Sequence, residues 1–243
     1  MSALVLRPSS GRVFDGARRV RLADVSPAGR LRLDAAARFL QDLSADDTAD
    51  AALPDADAWV VRKTVIEVAA FPRYLERLEL ATWCSGTGSH WAERRISIEG
   101  EQGSRIEAAT TWVHIDMASG RPSRIPPGFD ELYGEAHGGR RVKARLDHPD
   151  PPAGDHDGFA WPLRFTDFDV LGHVNNAACW QIVEEAMSER RNLRAPLNAE
   201  VQHRTAIERD AAVSVATQSD GGALNLWAMA DGTIAMTARI EAR

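Results

Sequence analysis

The chain contains two copies of one pattern, and that duplication limits it to folds built from two equivalent parts. Shifted by 143 positions, Arg21 falls on Arg164, Asp24 on Asp167 and Gly29 on Gly172 without a gap, and Phe39-Leu40 fall on Ile182-Val183. At a shift of 141, Thr64, Ile66 and Glu67 meet Thr205, Ile207 and Glu208. The order and near-constant spacing of these matches, rather than their number, mark a repeated unit.

Each copy runs from a strand through a Gly-containing turn into a helix with an apolar stripe. Four runs rich in β-branched and aromatic residues follow it. In the first copy these are Trp59–Val68, Leu75–Cys84, Ser89–Glu99 and Arg105–Asp116, with Ser85-Gly86-Thr87-Gly88 and Gly100–Gly103 as turns. In the second they are Glu200–Ile207, Ala211–Gln218, Ala223–Ala230 and Thr233–Glu241, separated by Glu208-Arg209-Asp210, Ser219-Asp220-Gly221-Gly222 and Asp231-Gly232. Strand, helix, then four antiparallel strands predicts an α+β unit, a long helix wrapped by a curved antiparallel sheet. The stretch from about Pro126 to Asp157, with Pro126-Pro127, Gly138-Gly139 and Pro149-Asp150-Pro151-Pro152-Ala153-Gly154, cannot be interior strand or helix throughout. The expected division is an N-terminal unit over 1–127, a linker over 128–157 and a C-terminal unit over 158–243.

The chain has 243 residues, 44% hydrophobic and 26% charged, enough for one large domain or two small ones. A net charge of −6 argues against a general nucleic-acid binder. Two cysteines, Cys84 and Cys179, imply no disulfide framework and fit a reducing compartment. The apolar stretch in Met1–Gly11 is too short for a signal sequence, and no run approaches a membrane span. A cytoplasmic protein without membrane attachment is expected.

The chemistry concentrates in Arg164-Phe165-Thr166-Asp167-Phe168-Asp169-Val170-Leu171-Gly172-His173-Val174-Asn175-Asn176, which leads into the second helix. On that helix, expected from about Asn175 to Arg191, Cys179, Trp180, Val183, Ala186 and Met187 form the apolar stripe. Asn176 projects within the stripe, Glu184 sits at its edge and Glu185 points to the polar side. Asn175 or Asn176 suits the N-cap. A helix N-terminus offers aligned N–H donors and partial positive charge, which stabilise an oxyanion. A neighbouring carboxylate such as Asp169 can act as a general base on water or attack a carbonyl itself. His173 can orient a group or carry a proton. Taken singly, an Asp or Asn at a helix start is more often a cap than a catalyst. The other copy bears on that choice. There Ser26 stands for Asp169, Arg30 for His173, Arg32 for Asn175 and Gln41 for Glu184, while Gly29 and the helix pattern persist. The scaffold is kept and the polar set changed, so the second copy is the active one; Asp34 is the candidate cap of the first helix.

Asp169-Val-Leu-Gly-His173-Val174-Asn175-Asn176 resembles the Asp-x-x-x-His-Val-Asn-Asn motif of the plant-type acyl-acyl-carrier-protein (acyl-ACP) thioesterases. Trp59-Val60-Val61-Arg62-Lys63-Thr64, Leu80-Ala81-Thr82-Trp83-Cys84 and Ala108-Ala109-Thr110-Thr111-Trp112-Val113 are similar to that family's N-terminal strands. The resemblance implies a tandem hotdog fold, in which fusion builds internally the pairing that single units reach by dimerising. A homodimer of the whole chain stays open. It also implies hydrolysis of a fatty acyl thioester on the phosphopantetheine arm of acyl carrier protein, with no metal or other cofactor. Asp169 would be base or nucleophile and His173 would position the acyl group or water, with Asn175, Asn176 and Glu184 in support. The N-terminal half would shape the acyl pocket, where Trp59, Trp83, Trp91 and Trp112 could limit chain length. Two positions depart from the family. Leu171 stands where the plant-type enzymes have Asn. Ala206 stands where they have a strand Glu, and Glu208 replaces it only if the register slips. Acyl-CoA hydrolysis and non-catalytic acyl binding are the competing readings.

Cys179, on the apolar stripe, is expected to be a buried thiol rather than a nucleophile. His90, His114, His137, His148, His156 and His203 show no paired zinc-ligand spacing. Arg140-Arg141-Val142-Lys143-Ala144-Arg145 and Arg18-Arg19-Val20-Arg21 are basic against an acidic chain and are candidates for docking an acidic carrier protein.

Overall fold

The repeated turn closes the same way twice, hydrogen bond for hydrogen bond. In the computed structural model, which describes residues 4–53, 59–152, 157–190 and 192–243, a short 3-10 turn at Leu22–Asp24 is matched by one at Phe165–Asp167. The Arg21 N–H donates to Asp24 Oδ2 at 2.8 Å, and the Arg164 N–H to Asp167 Oδ2 at 2.9 Å. Ser26 N–H meets Arg30 O at 2.8 Å, and Asp169 N–H meets His173 O at 3.0 Å. Gly29 (φ 75°) and Gly172 (φ 80°) make the same left-handed bend, which a side chain would strain. Helix α1 (Leu33–Asp50) and helix α3 (Asn176–Met187) then start at positions 143 apart.

The strands keep the same plan. The first unit holds β1 (Phe14–Arg19), β2 (Trp59–Ala70), β3 (Arg77–Thr87), β4 (Trp91–Gly100) and β5 (Arg105–Asp116), in the sheet order β1-β3-β4-β5-β2. The second holds β7 (Asp157–Trp161), β8 (Leu197–His203), β9 (Val213–Asp220), β10 (Ala223–Ala230) and β11 (Thr233–Ala242). Its order from the seam is β8-β11-β10-β9-β7, the mirror of the first. A two-residue β6 (Arg121–Pro122) pairs with β5. The two halves join where β2 pairs antiparallel with β8, Lys63 opposite Gln202 through Val68 opposite Leu197, so a pseudo-dyad passes through this seam.

α1 and α3 pack against each other, and their apolar stripes share one core with both halves of the sheet. Leu33, Phe39, Leu40 and Leu43 of α1 and Cys179, Trp180, Ile182, Val183, Ala186 and Met187 of α3 are buried. At roughly 1.5–3 kcal/mol for each large apolar side chain, this shared core outweighs the modest intrinsic preference of either helix.

Three local expectations change. The run Ser85-Gly86-Thr87 is not a turn, because β3 continues through it with a bulge between Cys84 and Gly86. A Cβ on Gly86 would lie 2.5 Å from Val142 Cγ1, so the glycine admits the linker segment, whose Val142 N–H bonds Thr87 O. The linker carries helix α2 (Phe129–His137), which buries Phe129 and Tyr133 against Leu53, Cys84 and Ala92. Strand β8 ends at His203, so Thr205, Ile207 and Glu208 lie beyond it, whereas Thr64, Ile66 and Glu67 lie inside β2. The shift of 141 therefore joins residues in different surroundings. Ala153, Gly154, His156 and Arg191 are outside the described residues. No helix among those described is long and apolar enough to cross a membrane.

Candidate active site

Asn175 is the N-cap of α3: its Oδ1 accepts the Ala177 N–H at 2.8 Å. The capping role therefore belongs to Asn175, which leaves Asn176, at the first helical position, facing inward. Two residues before the cap is His173. Asp169 lies across the tight turn from it, and its Oδ1 accepts the Leu171 N–H at 2.9 Å. The backbone of Leu171 thus orients the Asp169 carboxylate, which the leucine side chain cannot do.

His173 has a second partner. Glu208, in the turn after β8, brings Oε1 to 3.3 Å from His173 Nε2. No slip of register is involved, since β8 has already ended. Ala206 lines the nearby cavity, so the carboxylate absent there returns two residues later by a different backbone path. The sequence signal is the acidic residue itself, which the expected alignment passes over because it sets Ala206 opposite the family's Glu and leaves Glu208 in a turn.

Glu184 does not join this group. It crosses from α3 to the start of α1, where both carboxylate oxygens take the Arg30 guanidinium at 2.9 Å and Oε1 also accepts the Leu33 N–H. From the sequence it is expected to support the second-copy site; in the structure its carboxylate bonds the start of α1. For the same reason Asp34 is not a cap. It lies within α1, paired with Arg32 at 2.8 Å, while Glu184 serves the helix start.

Asp169, His173, Asn175 and Asn176 line one side of a cavity of about 890 Å³. The same cavity extends along α1 past Gln41, Ser44, Ala45, Thr48 and Ala49 to Leu53, Trp59, Cys84, Ala92, Trp112 and Phe129 of the first unit. Both copies build it: Val174, Ile207, Ala235 and Met236 of the second add apolar lining beside Asp169 and His173. Trp59 and Trp112 line it; Trp83 and Trp91 do not appear in its wall. At the first unit's end it also meets Glu93 and Arg94, and Arg94 is neutralised by the buried Asp47, which Tyr133 Oη also reaches at 3.0 Å.

Both thiols are unsuited to attack. Burial pushes Cys179 up to about 12 and Cys84 up to about 11. His203 lines the cavity, and burial followed by the nearby Arg62 pulls it down to about 4, so it is neutral near pH 7. Asp147, His148 and Glu200 come together although their spacing gave no sign of it. Their polar atoms are engaged: Gln202 Nε2 bonds both carboxylates at 2.6 Å, His148 Nδ1 lies 3.0 Å from Thr237 Oγ1, and Lys63 Nζ stands 3.6 Å from Glu200. Of the basic clusters, Arg140 is committed to Glu93 at 2.6 Å and Arg18 to Asp42 at 2.8 Å.

Two family profiles match in chain order. The Acyl-ACP thioesterase N-terminal domain matches residues 11–133, and the Acyl-ACP thioesterase C-terminal domain matches residues 155–241. The chain belongs to the acyl-ACP thioesterase family. It is accordingly a thioester hydrolase. An uncharacterized protein of Mycobacterium tuberculosis is 32% identical over 207 residues, 85% of this chain and 82% of that one. The chloroplastic acyl-carrier-protein hydrolase FATB3 of Cuphea viscosissima is 30% identical over 128 residues, 49% of this chain and 30% of that one. Among solved structures, the 12:0-ACP thioesterase from Umbellularia californica aligns with a TM-score of 0.76 at 19% identity, covering 97% of this chain and 99% of that chain. An acyl-ACP thioesterase from Bacteroides thetaiotaomicron aligns with a TM-score of 0.75 at 14% identity, covering 94% and 97%. The fold shared across this acyl-ACP thioesterase family is the tandem hotdog, and the mirrored strand order about β2 and β8 is its form here.

Proposed function

We propose that the chain hydrolyses the thioester of a fatty acyl chain carried on the phosphopantetheine arm of acyl carrier protein, releasing the free fatty acid, with Asp169 as the essential carboxylate. The observation that carries this reading is one continuous cavity that is lined by Asp169, His173 and the start of α3, by one face of α1, and by apolar side chains such as Leu53, Trp59, Trp112 and Phe129. The acyl chain lies against the wall. The thioester carbonyl lies at the first turn of α3, where the helix N–H groups and dipole stabilise developing negative charge on oxygen.

Asp169 takes a proton from water as the water oxygen attacks the carbonyl carbon. The tetrahedral intermediate collapses by breaking the carbon–sulfur bond, and the departing sulfur takes up a proton to leave the carrier thiol and the carboxylic acid. Direct attack by Asp169 would give the same products through an acyl anhydride that water then cleaves. His173, held by Glu208, positions the water or acyl group.

The test is turnover on matched panels of acyl-ACP and acyl-CoA over several chain lengths, with Asp169→Asn alongside. Release of fatty acid from acyl-ACP with a kcat loss of about a thousandfold or more in the variant, at unchanged melting temperature, is expected. Equal rates on CoA thioesters would remove the carrier preference. A fully active Asp169→Asn protein would sink the mechanism.

A further inference from the structure

The pseudo-dyad exchanges the two helix starts, and each start faces a polar side chain from the opposite helix. At the start of α1 that side chain is Glu184, bonded to the Leu33 N–H and to Arg30. The shift of 143 that superposes the two turns carries Leu33 onto Asn176, Arg30 onto His173 and Glu184 onto Gln41. Gln41 of α1 therefore belongs to the start of α3, and it lines the large cavity together with Asp169, His173 and Asn176.

Gln41 differs from its counterpart in one respect. Glu184 has its carboxylate fully engaged, whereas Gln41 Oε1 is shut off from solvent with no hydrogen-bond partner among the described residues. Buried amide oxygens are rarely left unpaired, and one left so beside a site calls for a ligand or a water. Beside it is a second void of about 20 Å³, walled by Gln41, Val61, Thr64, Trp112 and Asn176 among others. That space lets the carboxamide turn about χ3, a torsion with a broad range, and bring its oxygen to the large cavity without moving the backbone.

We infer that Gln41 is a catalytic residue supplied by the first unit. Its carboxamide hydrogen-bonds the attacking water and holds it between Asp169 and the start of α3. The exchange of Glu for Gln relative to position 184 follows from the charges at each pole. At the inactive pole Arg30 neutralises the glutamate. At the active pole a second carboxylate beside Asp169 would favour the protonated, inactive form of the base, and an amide supplies the acceptor without the charge.

This inference rests on the reading of Asp169 as the base, and the experiment separates the two. Wild type, Asp169→Asn, Gln41→Met and Gln41→Glu are compared on acyl-ACP for kcat, KM, melting temperature and the pH dependence of kcat. Gln41→Met is expected to lose about 10–100-fold in kcat with KM changed less than about threefold and melting temperature retained. Gln41→Glu is expected to move the acidic limb of the kcat profile to higher pH, a shift that a purely structural role would not produce. Wild-type kcat in Gln41→Met, or an unmoved acidic limb in Gln41→Glu, with Asp169→Asn inactive, overturns the role of Gln41 alone. Active Asp169→Asn, or a wild type inert on acyl-ACP, brings down both readings together. If Gln41→Met does not fold, the nearly isosteric Gln41→Glu still decides the matter through its pH limb.

Discussion

At the end of β8, His203 has Nε2 buried without a hydrogen-bond partner among the described residues, next to the Arg62 guanidinium that donates to the His203 carbonyl at 2.8 Å. Burial, and then that cation, bring its pKa from 6.5 to about 4. An unfolded chain takes up a proton near pH 6.5 that the folded chain refuses until about pH 4. Stability therefore declines as pH falls through that window and declines no further below it, by about 3 kcal/mol at most from this residue. Urea midpoints measured at intervals between pH 7 and pH 4 should fall more steeply for the wild type than for His203→Met; parallel curves would show that the histidine is not held neutral. At this scale the sequence was a partial guide. It singled out Asp169, His173 and Asn176, which now share a cavity wall, because their spacing across a turn and a helix start is local. It could not assign Glu208 to His173, because that contact depends on where β8 stops.

Each helix is braced by the other, and the brace from α3 to α1 can be tested by itself. Arg32, the N-cap of α1, offers no side-chain cap, so the helix start relies on Glu184 for the Leu33 N–H. Glu184 and Arg30 are mostly buried, with side chains 11% and 24% exposed. Removing one member of such a pair leaves the other charge poorly compensated. Glu184→Ala is expected to cost about 2–4 kcal/mol, discounted for the residual solvent contact. Because this brace stands at the start of α1, at the other pole from Asp169, kcat should stay within about twofold of wild type at a temperature where the variant is folded. A large loss of kcat with stability intact would return Glu184 to the substrate-positioning role expected from sequence. The existence and order of strands and helices were legible because hydrophobic period and turn residues are local signals. Their ends were not. Gly86 reads as a turn until Val142 is seen packed over it, and Phe129 and Tyr133 read as linker until they are seen buried under Leu53 and Cys84.

Duplication gives the whole molecule a cavity that neither unit has alone, since both units line it, with Asp169 and His173 from the second and Leu53, Trp59, Trp112 and Phe129 from the first. Helix α1 runs along it. Gln41, Ala45 and Ala49 lie four residues apart on one face and all line the cavity, with Gln41 beside the site residues. From Gln41 to Ala49 the axis advances about 12 Å, and from Ala45 to Ala49 about 6 Å. An extended acyl chain advances about 1.25 Å per carbon, from bonds of about 1.5 Å in a staggered zigzag. A bulky side chain at Ala49 should therefore exclude the longest chains and spare shorter ones, and the same side chain at Ala45 should move the limit inward by about four to five carbons. Ala45→Phe and Ala49→Phe are compared with wild type by the lengths of fatty acid released from a mixed acyl-ACP pool. The expected order of maximum length is wild type, then Ala49→Phe, then Ala45→Phe, with kcat on the shortest accepted chain retained in all three. Identical product lengths in the two variants would mean that the acyl chain does not run along α1, and the wall of the first unit would then need another occupant.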